Sequence, residues 1–302
     1  MIDDDNRNTV NILITGSDGQ LGREFRYLSG LITEEGLEAI SDKKLIFLFS
    51  TRKSLDIKNK RKIAEYCLQN TINVIVNCAA YTAVDKAEQE QVQADAVNHL
   101  AVKNLAQVAK DQNIKLIHIS TDYVFDGTAH KPYKETDVTN PQSVYGKSKL
   151  DGELAMQAIN PSNSIIIRTS WLYSEYGNNF LKTMLRLGRE RDEIGVVFDQ
   201  IGAPTNARSL AKAILHIIPQ LKNSHVEIYH YSNLGVCTWY DFASAIFAIN
   251  NIDCKVIPIP SEAYPTAAKR PYYSVMDQDK VAEKFNVSNE HWRESLLLVN
   301  MM

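Results

Sequence analysis

The sequence has no apolar run long enough to span a bilayer, no internal repeat, no low-complexity tract and no proline-rich linker. These absences argue against a membrane-spanning helix, a solenoid and a string of tethered modules. Cysteine is scarce: Cys67, Cys78, Cys237 and Cys254 are well separated, so neither a disulfide framework nor a Cys-x-x-Cys metal cluster is predicted. The seven histidines form no set at ligand spacing either, and no metal is predicted. An excess of one charge is also missing. With 33 Lys and Arg against 36 Asp and Glu, the net charge of −3 favours neither nucleic acid nor a membrane surface as a partner. The opening residues Met1-Ile2-Asp3-Asp4 are acidic and lack the basic and apolar regions of a secretory leader, which predicts a cytoplasmic location.

What remains is an ordinary globular composition, 44% hydrophobic and 23% charged, on a chain of 302 residues, enough for one large or two smaller domains. Short β-branched runs alternate with longer amphipathic stretches, the pattern of a parallel sheet covered by helices. Strands are predicted at residues 10–15, 45–50, 74–77, 115–120 and 164–168, and helices at 21–29, 57–69, 89–111 and 143–159. Beyond this the pattern loosens. Helices at 179–191, 208–221 and 239–249 alternate with short strands, and Pro258, Pro260, Pro265 and Pro271 break the chain into loops. The fold class is therefore α/β, with a doubly wound parallel sheet and a smaller C-terminal part. Residues 8–167 form the first domain and residues 168–302 mainly the second, with segments near 196–230 returning to the sheet.

The first strand runs into Gly16-Ser17-Asp18-Gly19-Gln20-Leu21-Gly22 and a helix follows at once. Gly16, Gly19 and Gly22 suit a tight strand-to-helix turn that lets the backbone approach a pyrophosphate and the helix pack closely on the sheet. The helix N-terminus then offers free N–H groups to that anion. The second strand ends in Ser50-Thr51-Arg52-Lys53, with no carboxylate to meet a ribose 2′-hydroxyl. A basic residue there suits a 2′-phosphate, so NADP(H) is favoured and NAD(H) is a secondary cofactor; the alternative is that Arg52 and Lys53 are a solvated pair. Asp56, followed by Ile57, lies where a loop places its carboxylate against the adenine amine, or else caps the next helix.

Ser120-Thr121 ends a strand, so its hydroxyls sit at the carboxyl edge of the sheet, where ligands bind in open α/β folds. Downstream, Tyr145-Gly146-Lys147-Ser148-Lys149 places Tyr145 and Lys149 four apart on one helix face. An ammonium beside a phenol is expected to lower the phenol's pKa toward working pH, and a phenol so tuned exchanges a proton with a carbonyl oxygen during hydride transfer.

Taken together, these residues resemble the extended short-chain dehydrogenase/reductase family, and within it reductases of dTDP-linked 4-keto-6-deoxy sugars. The resemblance runs from about Asn11 to beyond Pro271. It rests on Ile14 to Gly22, on Asn77-Cys78-Ala79-Ala80-Tyr81-Thr82-Ala83-Val84-Asp85, on Val97-Asn98, and on Ile119-Ser120-Thr121-Asp122-Tyr123-Val124-Phe125. It continues through Arg168-Thr169-Ser170-Trp171, Gly177-Asn178-Asn179-Phe180, Gln200-Ile201-Gly202-Ala203-Pro204 and Arg270-Pro271. The resemblance implies a Rossmann-like cofactor domain and a substrate domain. It implies NADPH-dependent reduction of the C4 keto group of dTDP-4-dehydro-L-rhamnose, for surface polysaccharide, and a homodimer. Thr121, Tyr145 and Lys149 would form the catalytic triad, Thr121 polarising the carbonyl, Tyr145 donating the proton and Lys149 holding the nicotinamide ribose. Ala79, Ala80 and Tyr81 would line the cofactor channel. Asp122, Tyr123 and Trp171 would contact sugar or thymidine, with Asn179 and Arg270 near the diphosphate. Trp171 is alternatively a core aromatic and Arg270 a structural ion-pair partner. The segments before Asn8, from 32 to 44 and after Asp277 match least, and the first two read as surface.

Two rival readings share the fold. A dehydratase on this scaffold would be expected to follow the catalytic Thr with Asp-Glu, whereas Thr121 is followed by Asp122-Tyr123; the specific matches also favour a reductase over an epimerase. A non-catalytic NADP-binding regulatory subunit would not need the intact Thr121, Tyr145 and Lys149.

Overall fold

The computed structural model describes residues 9–34 and 44–299; residues 1–8, most of the 32–44 stretch and the last three residues lie outside the described residues. The chain opens with β1 (Thr9–Thr15), α1 (Gln20–Glu34), β2 (Lys44–Ser50), α2 (Lys60–Gln69) and β3 (Val74–Asn77). Next come two short helices, α3 (Val84–Ala87) and α4 (Gln91–Asp95), then α5 (Ala101–Asp111), β4 (Lys115–Thr121), α6 (Val144–Ile159) and β5 (Ile165–Thr169). The second half holds β6 (Leu172–Tyr173), α7 (Phe180–Glu190), β7 (Glu193–Val197), β8 (Ile201–Gly202), β9 (Thr205–Asn206), α8 (Ala207–Ile217) and β10 (Glu227–His230). It ends with β11 (Cys237–Thr238), α9 (Trp239–Ile249), β12 (Lys255–Ile259), α10 (Asp279–Phe285) and α11 (Trp292–Leu297).

Six strands form one sheet in the order β10-β5-β4-β3-β1-β2, every pairing parallel. Strand order reverses between β1 and β3, which is where such sheets bind ligands. The strands are buried on both faces. Ile12 and Ile14 pack with Phe25 of α1 and Leu210 and Ile214 of α8, while Leu13 faces Ile63 of α2 and Leu105 of α5. This two-residue alternation between two apolar layers is why the strands are nearly continuous hydrophobic runs. A third core, built on Tyr173, Leu181, Phe242, Ile246 and Trp292, belongs to the second half.

The structure differs from the sequence-based boundaries in three places. Helix α1 runs on to Glu34 rather than stopping near 29, because Leu31 and Ile32 continue the stripe begun by Leu21, Phe25 and Leu28. Helix α2 starts at Lys60 rather than 57, since Asn59 is its N-cap and accepts from Lys62 N at 3.1 Å. The long helix expected over 89–111 is broken by a wide π-type turn at Ala96–Leu100. That turn carries the buried Asn98, whose amide binds both backbone atoms of Tyr81 and the hydroxyl of Ser148. Such turns recur at functional sites.

Helix α6, which carries the Tyr145–Lys149 pair, is held from below by one buried ion pair. Glu153 receives Arg168 of β5 at 2.7 and 3.0 Å, and both side chains are at most 2% exposed. Removing one partner strands the other charge in a dry interior, which costs about 3–5 kcal/mol. Glu153→Gln should therefore lower the denaturant midpoint sharply with little change in slope. An unshifted midpoint would show that the pair carries no net weight in the fold.

Candidate active site

A cleft of about 920 Å³ opens at the carboxyl ends of the central strands and is walled opposite by Trp171, Phe180 and Trp239. Its size is near the top of the range for small-molecule sites, which suits a nucleotide-sized guest. Gly16 turns the chain out of β1 with φ of +63°, and a Cβ there would lie 2.6 Å from the backbone of Ala79. Only glycine permits both the backbone angle and the close approach of the turn to the β3 end. At Gly22 a Cβ would meet Ser17 Cα at 2.5 Å, so this residue sets helix packing and does not itself line the cleft. Asp18, Gly19, Gln20 and Leu21 line it between them. Gln20 also reaches across the molecule, accepting from Asn179 Nδ2 at 2.9 Å.

At the β2 end, exposed Arg52 lines the cleft and has no ion-pair partner among the described residues, while Lys53 lies outside the lining. Asp56 and buried Ile57 also line it. Asp56 does not cap α2: its Oδ1 accepts from Lys58 N at 3.1 Å in a local turn, and Asn59 takes the cap. Ala79, Ala80 and Tyr81 form the floor beside β3, with Tyr81 O–H donating to Glu90 at 2.6 Å.

Thr121, Asp122, Tyr123, Tyr145 and Lys149 converge on the same cleft. Ser143 caps α6 by accepting from Gly146 N at 3.1 Å, so Tyr145 sits in the first turn and points at the β4 end. Its hydroxyl hydrogen bonds with Thr121, and its ring meets Tyr123 edge-on with centroids 5.5 Å apart. Thr121 Oγ1 donates to Asp122 Oδ1 at 2.9 Å, and Asp122 Oδ2 is buried without a hydrogen-bond partner. Burial lifts the Asp122 carboxyl to about 6, against the pull of its hydrogen bond from Thr121.

The expectation that Lys149 lowers the Tyr145 pKa is not met. Burial pushes the phenol up to about 12, the Thr121 hydrogen bond works against that rise, and the lysine is not among the causes. The reason is geometric. Lys149 Nζ donates to Ile119 O at 2.5 Å and lies 3.4 Å from His118 Nε2, and burial takes its own pKa down to about 8. The phenol is therefore protonated throughout the physiological range, the form a proton donor requires.

On the second-domain side, Trp171 lines the cleft with a left-handed backbone, φ +47°, and stacks on Trp239 at 3.5 Å between centroids. The packing alternative is met by that stack, and the ring also belongs to the cleft wall. Arg270 lines the cleft as well, with Nη2 on Asp85 Oδ2 at 2.6 Å. Asn179 is turned away: its Oδ1 caps α7 through Lys182 N, and its amide donates to Gln20, Ser174 and Tyr176. The neighbouring Asn178 lines the cleft instead. Trp239 and His118 carry no signal in the sequence, Trp239 because it is simply the first residue of an amphipathic helix. A second cavity of about 480 Å³ lies beside α8, where Arg208 pairs with Glu24 at 2.8 Å and Glu175 at 3.0 Å. Asp95, His99 and Asp151 bring ligand atoms within 4.8 Å of one another, and His99 Nδ1 already lies 2.8 Å from Asp95 as an i,i+4 pair.

The RmlD substrate-binding-domain model matches residues 10–300. A dTDP-4-dehydrorhamnose reductase of Aggregatibacter actinomycetemcomitans is 42% identical over 297 residues, covering 95% of this chain and 97% of its own. A crystallised dTDP-4-dehydrorhamnose reductase of Clostridium acetobutylicum superposes with a TM-score of 0.86 at 42% identity, over 95% of this chain and 97% of that one. A Bacillus anthracis dTDP-4-dehydrorhamnose reductase in complex with NADP does so with a TM-score of 0.86 at 37% identity and the same coverage.

The Arg52 guanidinium at the β2 end gives a direct test. If Arg52 meets a 2′-phosphate, Arg52→Ala should weaken NADPH binding roughly 10- to 100-fold, the worth of a charged hydrogen bond, and leave NADH binding nearly unchanged. Equal losses for both cofactors, or none, would remove Arg52 from phosphate recognition.

Proposed function

The chain belongs to the RmlD substrate-binding-domain family, and from that membership we propose that it reduces the C4 keto group of dTDP-4-dehydro-L-rhamnose with NADPH, forming dTDP-L-rhamnose for surface polysaccharide. The observation that carries this reading is the meeting of Thr121, Tyr145 and Lys149 with the Gly16 turn in one cleft. The residues fit the cofactor. Gly16 lets the turn lie against the end of β3 at the cleft edge, no acid ends β2, and Arg52 lines the cleft there with no ion-pair partner among the described residues. Asp18 to Leu21, Asp56, Ile57 and the Ala79–Tyr81 floor complete its seat. NADH enters the same seat without the phosphate contact.

Bound there, the nicotinamide supplies the hydride. Tyr145 holds the proton that goes to the C4 oxygen, and its raised pKa keeps that proton in place until the oxygen gains charge. Thr121 offers its hydroxyl to the same oxygen, which requires it to leave Asp122 Oδ1. Lys149, as ammonium, holds the ribose side of the cofactor seat. Asp122, whose buried Oδ2 has no hydrogen-bond partner, lies on the sugar side, and Tyr123 and Trp171 wall the sugar and base. Arg270 faces the diphosphate while anchored by Asp85, and Asn179 acts from outside the cleft by fixing Gln20 and the Asn178 loop. Residues 8–167 make up the cofactor domain and 168–302 mainly the substrate domain. Within the latter, α8 and β10 pack back on the first, against α1 and β5. A cytoplasmic homodimer without nucleic-acid partners completes the reading; among the described residues, no helix is long and apolar enough to cross a membrane.

Tyr145→Phe deletes the proton donor and little else. Turnover, followed as NADPH absorbance with the keto sugar nucleotide, should fall by roughly 10²- to 10⁴-fold while NADPH still binds. A near-normal rate would take the proton role from Tyr145. Lys149→Ala should impair binding and turnover together.

A further inference from the structure

A polar chain runs under the cleft from Thr15 through Asn77 and His118 to Lys149, and all four side chains are at most 2% exposed. Its direction is determined at one end. Asn77 Oδ1 accepts from Thr15 Oγ1 at 2.7 Å and from Ala79 N at 3.3 Å, and a backbone N–H is always a donor. The other amide atom of Asn77 is therefore its NH₂, which lies 3.0 Å from His118 Nδ1. An amide NH₂ only donates, so Nδ1 presents its lone pair. Burial holds the imidazole well below its usual pKa, and the neutral ring then carries its proton on Nε2. That N–H faces Lys149 Nζ at 3.4 Å. An ammonium has three donors and no acceptor, whereas the neutral amine offers one lone pair to Nε2–H and still donates to Ile119 O.

We infer that His118 is a positioning residue for the reaction: fixed by Asn77 as its Nε2–H tautomer, it confronts Lys149 with a hydrogen-bond donor and adds to burial in favouring the neutral amine. The inference deepens the proposed function, since it matters to catalysis only if Lys149 works there. Burial is the largest cause of the lysine's lowered pKa, and the charged groups around it do not add to it. On its own helix, Glu153 favours the ammonium, but its carboxylate is taken by Arg168 of β5. Tyr145 is protonated, and from the β3 end the Cys78 thiol stays neutral because burial pushes it up. Asp122 follows β4, spends its Oδ1 on Thr121, and is not among the charges acting on the lysine. Among the described residues, Lys149 therefore has no ion-pair carboxylate of its own. Its charge is present below its pKa and lost above it, so the rate should fall as pH rises through about 8.

The test uses the whole protein, first without cofactor. Imidazole ¹⁵N shifts should show His118 protonated at Nε2 and bare at Nδ1 from about pH 6 to 9. A proton on Nδ1 overturns the inference. The Lys149 ¹⁵Nζ titration should then move up by roughly one pH unit in His118→Asn, a tenfold change in the ratio of ammonium to amine. That variant keeps an oxygen for Asn77 and removes the donor facing the lysine. The alkaline limb of kcat/KM should move by the same amount, because it reports groups of the free enzyme. Coincident lysine titrations in the two proteins overturn the inference. Failure of the wild type to oxidise NADPH with the keto sugar would instead remove the proposed function, with the two NMR readouts still deciding the role of His118.

Discussion

The common direction of β1, β3 and β4 is the constraint on which the site depends. Parallel register sets Thr15 beside Asn77 and Asn77 beside His118, so three neighbouring strands bring buried polar groups to one level of the sheet. The turn beyond Thr15 can approach Ala79 only because Gly16 has no Cβ. Thr121 emerges one step beyond Ser120 on the neighbouring strand, and α6 swings Tyr145 over it from a serine cap. Antiparallel pairing of any of these strands would send its last polar groups to the opposite edge, away from the cleft.

Burial, more than charge pairing, then sets the protonation of the groups in the cleft. Desolvation is the largest influence on Asp122, Tyr145, Lys149 and His118 alike. It keeps the phenol protonated, brings the lysine within reach of neutrality and holds the imidazole uncharged. A dry site of this kind gives each hydrogen bond more weight than it would have in water, which is why the direction of the Asn77 amide matters so far from the carbonyl it serves.

Local patterns that carry their own physical reason were legible in the sequence. The Gly16–Gly22 turn, the first strand, the helix starting near Ser143 and the Tyr145–Lys149 spacing all report backbone geometry, and the structure places each where the spacing implies. What spacing cannot carry is the direction of a buried side chain. Lys149 was expected to act on the phenol, but it points to Ile119 O and His118 because that carbonyl and ring belong to a strand distant in sequence. Asn179 looked like a ligand contact and is a helix cap, while Asn178 next to it faces the cleft. Trp239 was invisible because its partner, Trp171, lies on a separate segment brought alongside by the small strands of the second half. The π-type turn at Asn98 also left no mark in the apolar period.

Direct transfer of hydride from a bound nicotinamide to C4 of the sugar is the central claim, and isotope labelling tests it most directly. NADPH deuterated at nicotinamide C4, on the transferred face, is incubated with dTDP-4-dehydro-L-rhamnose and the product examined by proton NMR. The account predicts one deuterium at C4 of the sugar for each NADP⁺ formed. Deuterium at another carbon, or oxidation of NADPH with no label in the sugar, would contradict it.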